Sequence, residues 1–244
     1  MDDVVERRAA PEAVLVRVLD GFVVSRHGGR VELPTRAARL VACLAVRGGT
    51  IGRGIVAGHL WPDVTERQAA TSLRSTLLAI RRPCPELLDT GPNHVGLAAG
   101  VKVDLADLVG WCRRAMDPAD DPVPPPFSRC PRLLPEFDAD DWITTDRESL
   151  HQLLMHALES VTGRFIDRGQ YADAALAATC AVATDPLRES ARHALIRVHL
   201  AEGNLAAALH EYDRFRRLLD QELGVAPTQS LRKLLAAATS AGQH

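Results

Sequence analysis

The chain of 244 residues is long for one compact core and comfortable for two, and its 46% hydrophobic and 25% charged residues exclude wholesale disorder. No apolar run approaches the ~18 residues needed to span a bilayer, and the acidic, polar start MDDVVERRAAPEA argues against a secretory signal, so a soluble cytoplasmic protein is expected. The net charge of −2 conceals an asymmetry: through Arg114 there are 16 basic and 12 acidic residues, and after it 13 and 19, the pattern of a nucleic-acid reader joined to a partner-binding module.

In chain order, Val14–Val24 is β-branched and broken at Asp20-Gly21, which predicts a hairpin; a second turn at His27-Gly28-Gly29 leads into a short strand, Val31–Leu33. Pro34-Thr35 starts a helix that runs to about Arg47, with Ala38, Leu40, Val41 and Leu44 as candidates for its buried side and Gly48-Gly49 ending it. A short helix follows over Arg53–Leu60, closed by Trp61-Pro62-Asp63.

The segment Thr65–Arg82, TERQAATSLRSTLLAIRR, predicts a helix capped by Thr65 and stopped by Pro83. At about 100° per residue, Ala70, Leu73, Leu77 and Ile80 share an apolar stripe. The other side presents Arg67, Gln68, Thr71, Arg74, Ser75, Leu78 and Arg82, with Arg81 on the flank, and no acidic residue follows Glu66. Two strands, Leu87–Thr90 and Val95–Ala98, then flank Gly91-Pro92-Asn93-His94. Strands, three helices and a terminal hairpin are the order of a winged helix-turn-helix preceded by a small sheet. In such a motif the third helix enters the major groove, where arginine donates to guanine O6 and N7 while serine, threonine and flanking arginines hold bases and phosphates. A solvated amphipathic surface helix is the alternative at this point.

Residues 117–137, DPADDPVPPPFSRCPRLLPEF, hold seven of the 15 prolines and read as a stiff connector without helix or central strand. After it, helices are expected over 144–167, 171–184, 187–201, 205–222 and 228–240. RGQYADAALAATCAVATDP and EGNLAAALHEYDRFRRLL align with Gly169 over Gly203, a period of 34 residues that suits tetratricopeptide-like hairpins. The two glycines fall at turns between helices, and Ala174 and Ala208 fall where helices approach closely. The expected class is thus mainly α: a winged-helix domain over 1–114, a Pro-rich linker over 115–137 and an all-α domain over 138–244. Helical arrays of this kind usually bind proteins.

Catalytic and metal signatures are missing. The five cysteines, Cys43, Cys84, Cys112, Cys130 and Cys180, form no C-x-x-C pair and read as reduced, mostly buried thiols; His151 and His156 are five apart, on different sides of a helix. No phosphate loop, nucleophile elbow or dinucleotide fingerprint occurs. Asp138, Asp140 and Asp141 beside Trp142 read as complements to a helix N-terminus. Neither an enzyme nor a cofactor or metal is expected.

The residues LWPD (60–63), ATSLRSTLLAIRR (70–82), GVKVDLADL (100–108), LLP (133–135), DDWITTDRESL (140–150), ATDPLRESARHALIRVHLAEGN (183–204), Tyr212 and ELGVAPT (222–228) together resemble the Streptomyces antibiotic regulatory protein family. The resemblance spans about residues 12 to 236. It implies an OmpR-like winged helix fused to a bacterial transcriptional activator domain. Such an activator binds tandem direct repeats in double-stranded DNA near a promoter as a side-by-side homodimer, contacts RNA polymerase, and governs a secondary-metabolite gene cluster in the nucleoid. Carried onto this sequence, base or groove contacts fall on Arg67, Thr71, Arg74 and Ser75, phosphate contacts on Arg81, Arg82 and Arg53, and wing contacts on Asn93 and His94. The wing, TGPNHVG, holds neither arginine nor lysine, which leaves open an adaptor that has lost specific DNA binding.

Overall fold

The computed structural model describes residues 14–138 and 140–241; the polar opening segment lies outside them. The chain divides into two units, one of residues up to Leu108 together with Arg132–Arg147, the other of Val109–Pro131 together with Glu148 onward. These divisions fall at other places than the 114 and 138 expected from composition. Among the described residues no helix is long and apolar enough to cross a membrane.

In the first unit, β1 (Leu15–Arg17), β2 (Val23–Arg26) and β3 (Gly29–Val31) make an antiparallel meander, to which β7 (Lys102–Val103) adds in parallel beside β1, giving the order β3-β2-β1-β7. The third strand starts two residues earlier than the β-branched pattern predicts, because the turn pairs Arg26 with Gly29. Helix α1 (Thr35–Arg47) buries Ala37, Leu40, Val41, Cys43 and Leu44; Ala38, expected inside, is only half-buried. A second sheet has the order β4-β6-β5, from β4 (Thr50–Gly52), β5 (Leu88–Thr90) and β6 (His94–Leu97). Gly96 is what lets β4 lie so close: a Cβ there would stand 2.6 Å from the carbonyl of Gly49.

Residues 132–147 complete this unit. The Asp20 amide donates to the Arg132 carbonyl at 2.7 Å and the Leu134 amide to Val18 at 2.8 Å. Asp140 receives two hydrogen bonds from the Arg39 guanidinium, at 2.8 and 3.1 Å, and Arg147 donates to the Leu133 and Leu134 carbonyls. Asp138 pairs with Arg132 and Arg147. Asp138 and Asp140 thus serve as ion-pair partners, and no side-chain cap hydrogen bond occurs at the turn Asp141–Ile143.

Helix α4 (Asp104–Met116) was not expected, although Leu105, Leu108, Trp111, Cys112 and Ala115 recur at helical spacing and are all buried. In the second unit the Pro-rich stretch up to Pro131 carries neither helix nor strand, yet it is tightly held. The Trp111 indole donates to the Val123 and Pro124 carbonyls at 3.1 and 3.2 Å, Trp111 meets Phe127 edge-on at 5.5 Å, and Arg168 pairs with Asp121 at 2.9 Å.

Helices α5 (Thr144–Asp167), α6 (Tyr171–Thr184), α7 (Glu189–Ala201), α8 (Leu205–Leu223) and α9 (Gln229–Ala241) follow the expected order closely. The repeat has a physical counterpart. The Gln170 amide donates to Phe165 at 2.9 Å and the Asn204 amide to His199 at 2.8 Å, across Gly169 and Gly203, whose φ of 70° and 75° are left-handed values that glycine adopts without strain. Ala174 and Ala208 are fully buried. Ile196, Ala208, Phe215, Leu219, Leu231 and Leu235 form a shared core. All five cysteines are free and buried, and burial raises the Cys43 thiol to about 11 and that of Cys112 to about 12.

Candidate nucleic-acid interface

Helix α2 (Arg53–Leu60) and helix α3 (Glu66–Arg81) pack as a helix-turn-helix joined by 61–65. The start of α3 is set by a capping box: the Gln68 amide donates to the Thr65 hydroxyl oxygen at 3.4 Å and the Thr65 amide to Gln68 Oε1 at 3.1 Å. Its inner stripe is Ala69, Leu73, Thr76, Leu77 and Ile80; Ala70, expected within it, is half-buried, and Ala69 takes its place. Thr76 is buried at no polar cost, because its hydroxyl donates to the Ser72 carbonyl at 2.7 Å.

The outward face of α3 is open. Arg67, Thr71, Arg74, Ser75, Leu78, Arg81 and Arg82 are all exposed. Among the described residues the guanidinium groups of Arg67, Arg74 and Arg82 have no hydrogen-bond or ion-pair partner. The hydroxyls of Thr71 and Ser75 donate to the carbonyls of Arg67 and Ser72, each at 2.9 Å, which leaves their outward lone pairs as acceptors. A row of fixed positive charge interleaved with acceptors can engage phosphates and base edges together.

Arg81, Arg53, His94 and Asn93 are placed differently. Arg81 donates to the Thr90 hydroxyl and so braces the end of α3 on β5. Arg53 is half-buried; its amide donates to the Asn93 carbonyl at 3.0 Å and its guanidinium to the His94 carbonyl at 3.4 Å, which fastens the start of α2 to the wing turn. The absent Cβ of Gly91 makes room for the His94 ring, whose Nε2 lies 3.9 Å from Asp89. Asn93 is exposed at the tip. Arg67, Thr71, Arg74 and Ser75 therefore share the outward face of α3 with Arg82 at its C-cap, Arg81 braces the helix on β5, the wing pair stands at the hairpin end, and Arg53 ties that hairpin to the helix-turn-helix. Thr90, as the anchor of Arg81, was not visible beforehand, since a lone threonine in a strand carries no signal of its own.

In the second unit the polar motif residues Arg188, Glu189 and Arg192 are engaged within the fold, while Leu187, Leu223 and Val225 are exposed. Arg188 donates to Glu159 at 2.7 Å and to Gln152 at 3.1 Å, His151 lies 3.4 Å from Asp185, and Glu189 receives the Thr228 amide at 3.0 Å together with the Thr228 hydroxyl. Arg192, 3% exposed, pairs with Glu211 and stacks over the Phe215 ring. Among the described residues no cluster of three or more His, Cys, Asp or Glu side chains is placed to hold a metal ion.

Comparison with known proteins agrees with this architecture. The bacterial transcriptional activator domain family matches residues 132–237, which begin in the first unit and run through the second. Regulatory protein AfsR of Streptomyces coelicolor is 30% identical over 215 residues, covering 82% of this chain, and the chain spans about a fifth (21%) of that relative's length. The structure of Mycobacterium tuberculosis EmbR in complex with a low-affinity phosphopeptide superposes with a TM-score of 0.65, covering 93% of this chain and 65% of that one; at 17% identity it speaks for the fold. Its winged helix-turn-helix, its helical repeats and these likenesses agree with the resemblance to the Streptomyces antibiotic regulatory protein family, and residues 132–237 match the bacterial transcriptional activator domain.

Proposed function

We propose that this protein is a sequence-specific DNA-binding transcriptional activator that reads tandem direct repeats near a promoter as a side-by-side homodimer. It contacts RNA polymerase and governs a secondary-metabolite gene cluster, acting in the cytoplasm on the nucleoid. The observation that carries this reading is the outward face of α3, where Arg67, Arg74 and Arg82 stand exposed, without partners among the described residues, between the acceptor hydroxyls of Thr71 and Ser75. A charge left unpaired on a surface is available to a polyanion, and the braces from Arg81 to Thr90 and from Arg53 to His94 hold helix and wing ready. Repeats offset by about one helical turn would set two such helices on one face of a duplex.

Selection of the purified protein on a pool of random duplexes at about 150 mM salt tests this. Enrichment of a tandem repeat at one-turn spacing is the expected result. Weak, salt-sensitive binding without enrichment would overturn it and favour the adaptor reading, to which the wing's lack of arginine and lysine points.

A further inference from the structure

We propose that Leu78 is a specificity-determining residue that reads the 5-methyl group of thymine in the major groove; the proposal rests on the DNA-reading function above. At 63% exposure Leu78 is the most exposed of the large hydrophobic residues described. Its neighbours three and four positions away are Arg74, Ser75, Arg81 and Arg82, all of them exposed. Arg67, Thr71, Arg74 and Leu78 make one i, i+3/i+4 row, and Leu78 lies within about 20° of Thr71 around the helix, opposite the buried stripe of Ala69, Leu73, Thr76 and Ile80. The core of the first unit does not need it, because Leu77 and Ile80 already fill the inner face of α3.

An exposed apolar side chain flanked along its helix by three arginines is a poor seat for a protein partner, since a hydrophobic surface laid on it would strip water from the guanidinium groups beside it. A DNA major groove suits both components. Its walls carry phosphates for the arginines, and among its base edges the thymine methyl is the one apolar group. Charge complementarity therefore selects the occupant, and the row assigns Leu78 to a thymine lying one helical turn of α3 beyond whatever base Arg74 contacts.

The experiment uses the full-length protein and the repeat recovered by selection, with each thymine replaced in turn by uracil, which lacks only the 5-methyl group. Affinities are measured for the native protein and for Leu78→Ala, a change at an exposed helical position that alanine tolerates. Removing the correct methyl should weaken native binding about fourfold per repeat, the loss of one buried methyl contact. Leu78→Ala should bind the thymine and uracil duplexes equally while keeping its preference at the other positions. A specific repeat whose uracil substitutions weaken both proteins alike, or neither, overturns the role of Leu78 and leaves the DNA-reading function standing. If no repeat is enriched, both fail together.

Discussion

Arg74 and Arg188 both lie in motifs that carry the family resemblance, and their surroundings are opposite. Arg74 projects from α3 with no partner among the described residues, whereas Arg188 is bound to Glu159, Gln152 and Ser190. The same contrast holds between the outward face of α3 and the joints of the second unit. The guanidinium groups of Arg67, Arg74 and Arg82 have their hydrogen-bonding capacity in reserve among the described residues, while Arg188, Glu189 and Thr228 use theirs in joining α5, α7 and the start of α9. A family motif can thus mark either a surface kept open or a joint kept closed, and substitutions separate the two: at an open surface they change binding without stability, at a joint they change stability first.

The largest effect is expected at Arg192. Its partner Glu211 is only 19% exposed and keeps only Arg214, at 3.8 Å, so Arg192→Ala leaves a half-buried carboxylate without its close partner. The second unit should lose about 3 kcal/mol in urea unfolding. The double change Arg192→Met with Glu211→Met should recover most of that, since no charge is then stranded. If the single change cost no more than an exposed substitution, the contrast between inward and outward arginines would break.

On the open surface, Arg74→Ala should leave unfolding within about 0.5 kcal/mol of native while losing ~1–3 kcal/mol at the specific site and blurring discrimination between sequences. Arg82→Ala should weaken all duplexes alike and reduce the salt slope by about one. Matching behaviour of the two variants in a salt titration would dissolve the division into base and phosphate contacts. Thr65→Ala lies between the categories: losing the capping box should cost about 1 kcal/mol, and DNA affinity should fall with the fraying of the first turn of α3, from which Arg67 projects.

These positions also show what could be read from the chain beforehand. The bounds of α1, α2 and α3 were legible because Pro34, Gly48-Gly49, Thr65 and Pro83 punctuate them, and the exposed face of α3 followed from its period. Strands β4 and β7 were not, because three and two residues carry no periodicity. They exist only through pairing with β6 and β1, and the latter joins Val16 to Val103 across most of the unit. The Pro-rich stretch misled in an instructive way. Proline removes amide donors, but it leaves every carbonyl free, and Trp111 and Arg164 donate to those carbonyls, so a segment without secondary structure is nonetheless packed. For the site, the exposed arginines were visible as a pattern. The bracing roles of Arg53 and Arg81 were not, since they depend on where the wing folds back.

The smallest expected effect concerns acidity, and it takes opposite signs in the two units. In the first, Asp104 accepts the amides of Val18 and Leu19 at 2.9 and 3.2 Å, and burial still outweighs these bonds and raises its carboxyl above the usual carboxylate range. The folded state then holds the proton more tightly than the unfolded chain, so this group's contribution is full at low pH and is lost as pH rises through its raised pKa. In the second, burial, with help from Arg197 and against Glu189, lowers the His193 imidazole below its ordinary value. There the unfolded chain binds the proton more tightly, so the contribution is full above about pH 6.5 and is lost as pH falls through the lowered value. Amide hydrogen exchange followed from neutral to mildly acidic pH should register both. Relative to Asp104→Asn, native β1 and the start of α4 should gain protection on acidification. Relative to His193→Gln, native α7 should lose it. Equal slopes in native and variant proteins at either place would mean that burial there does not govern the proton.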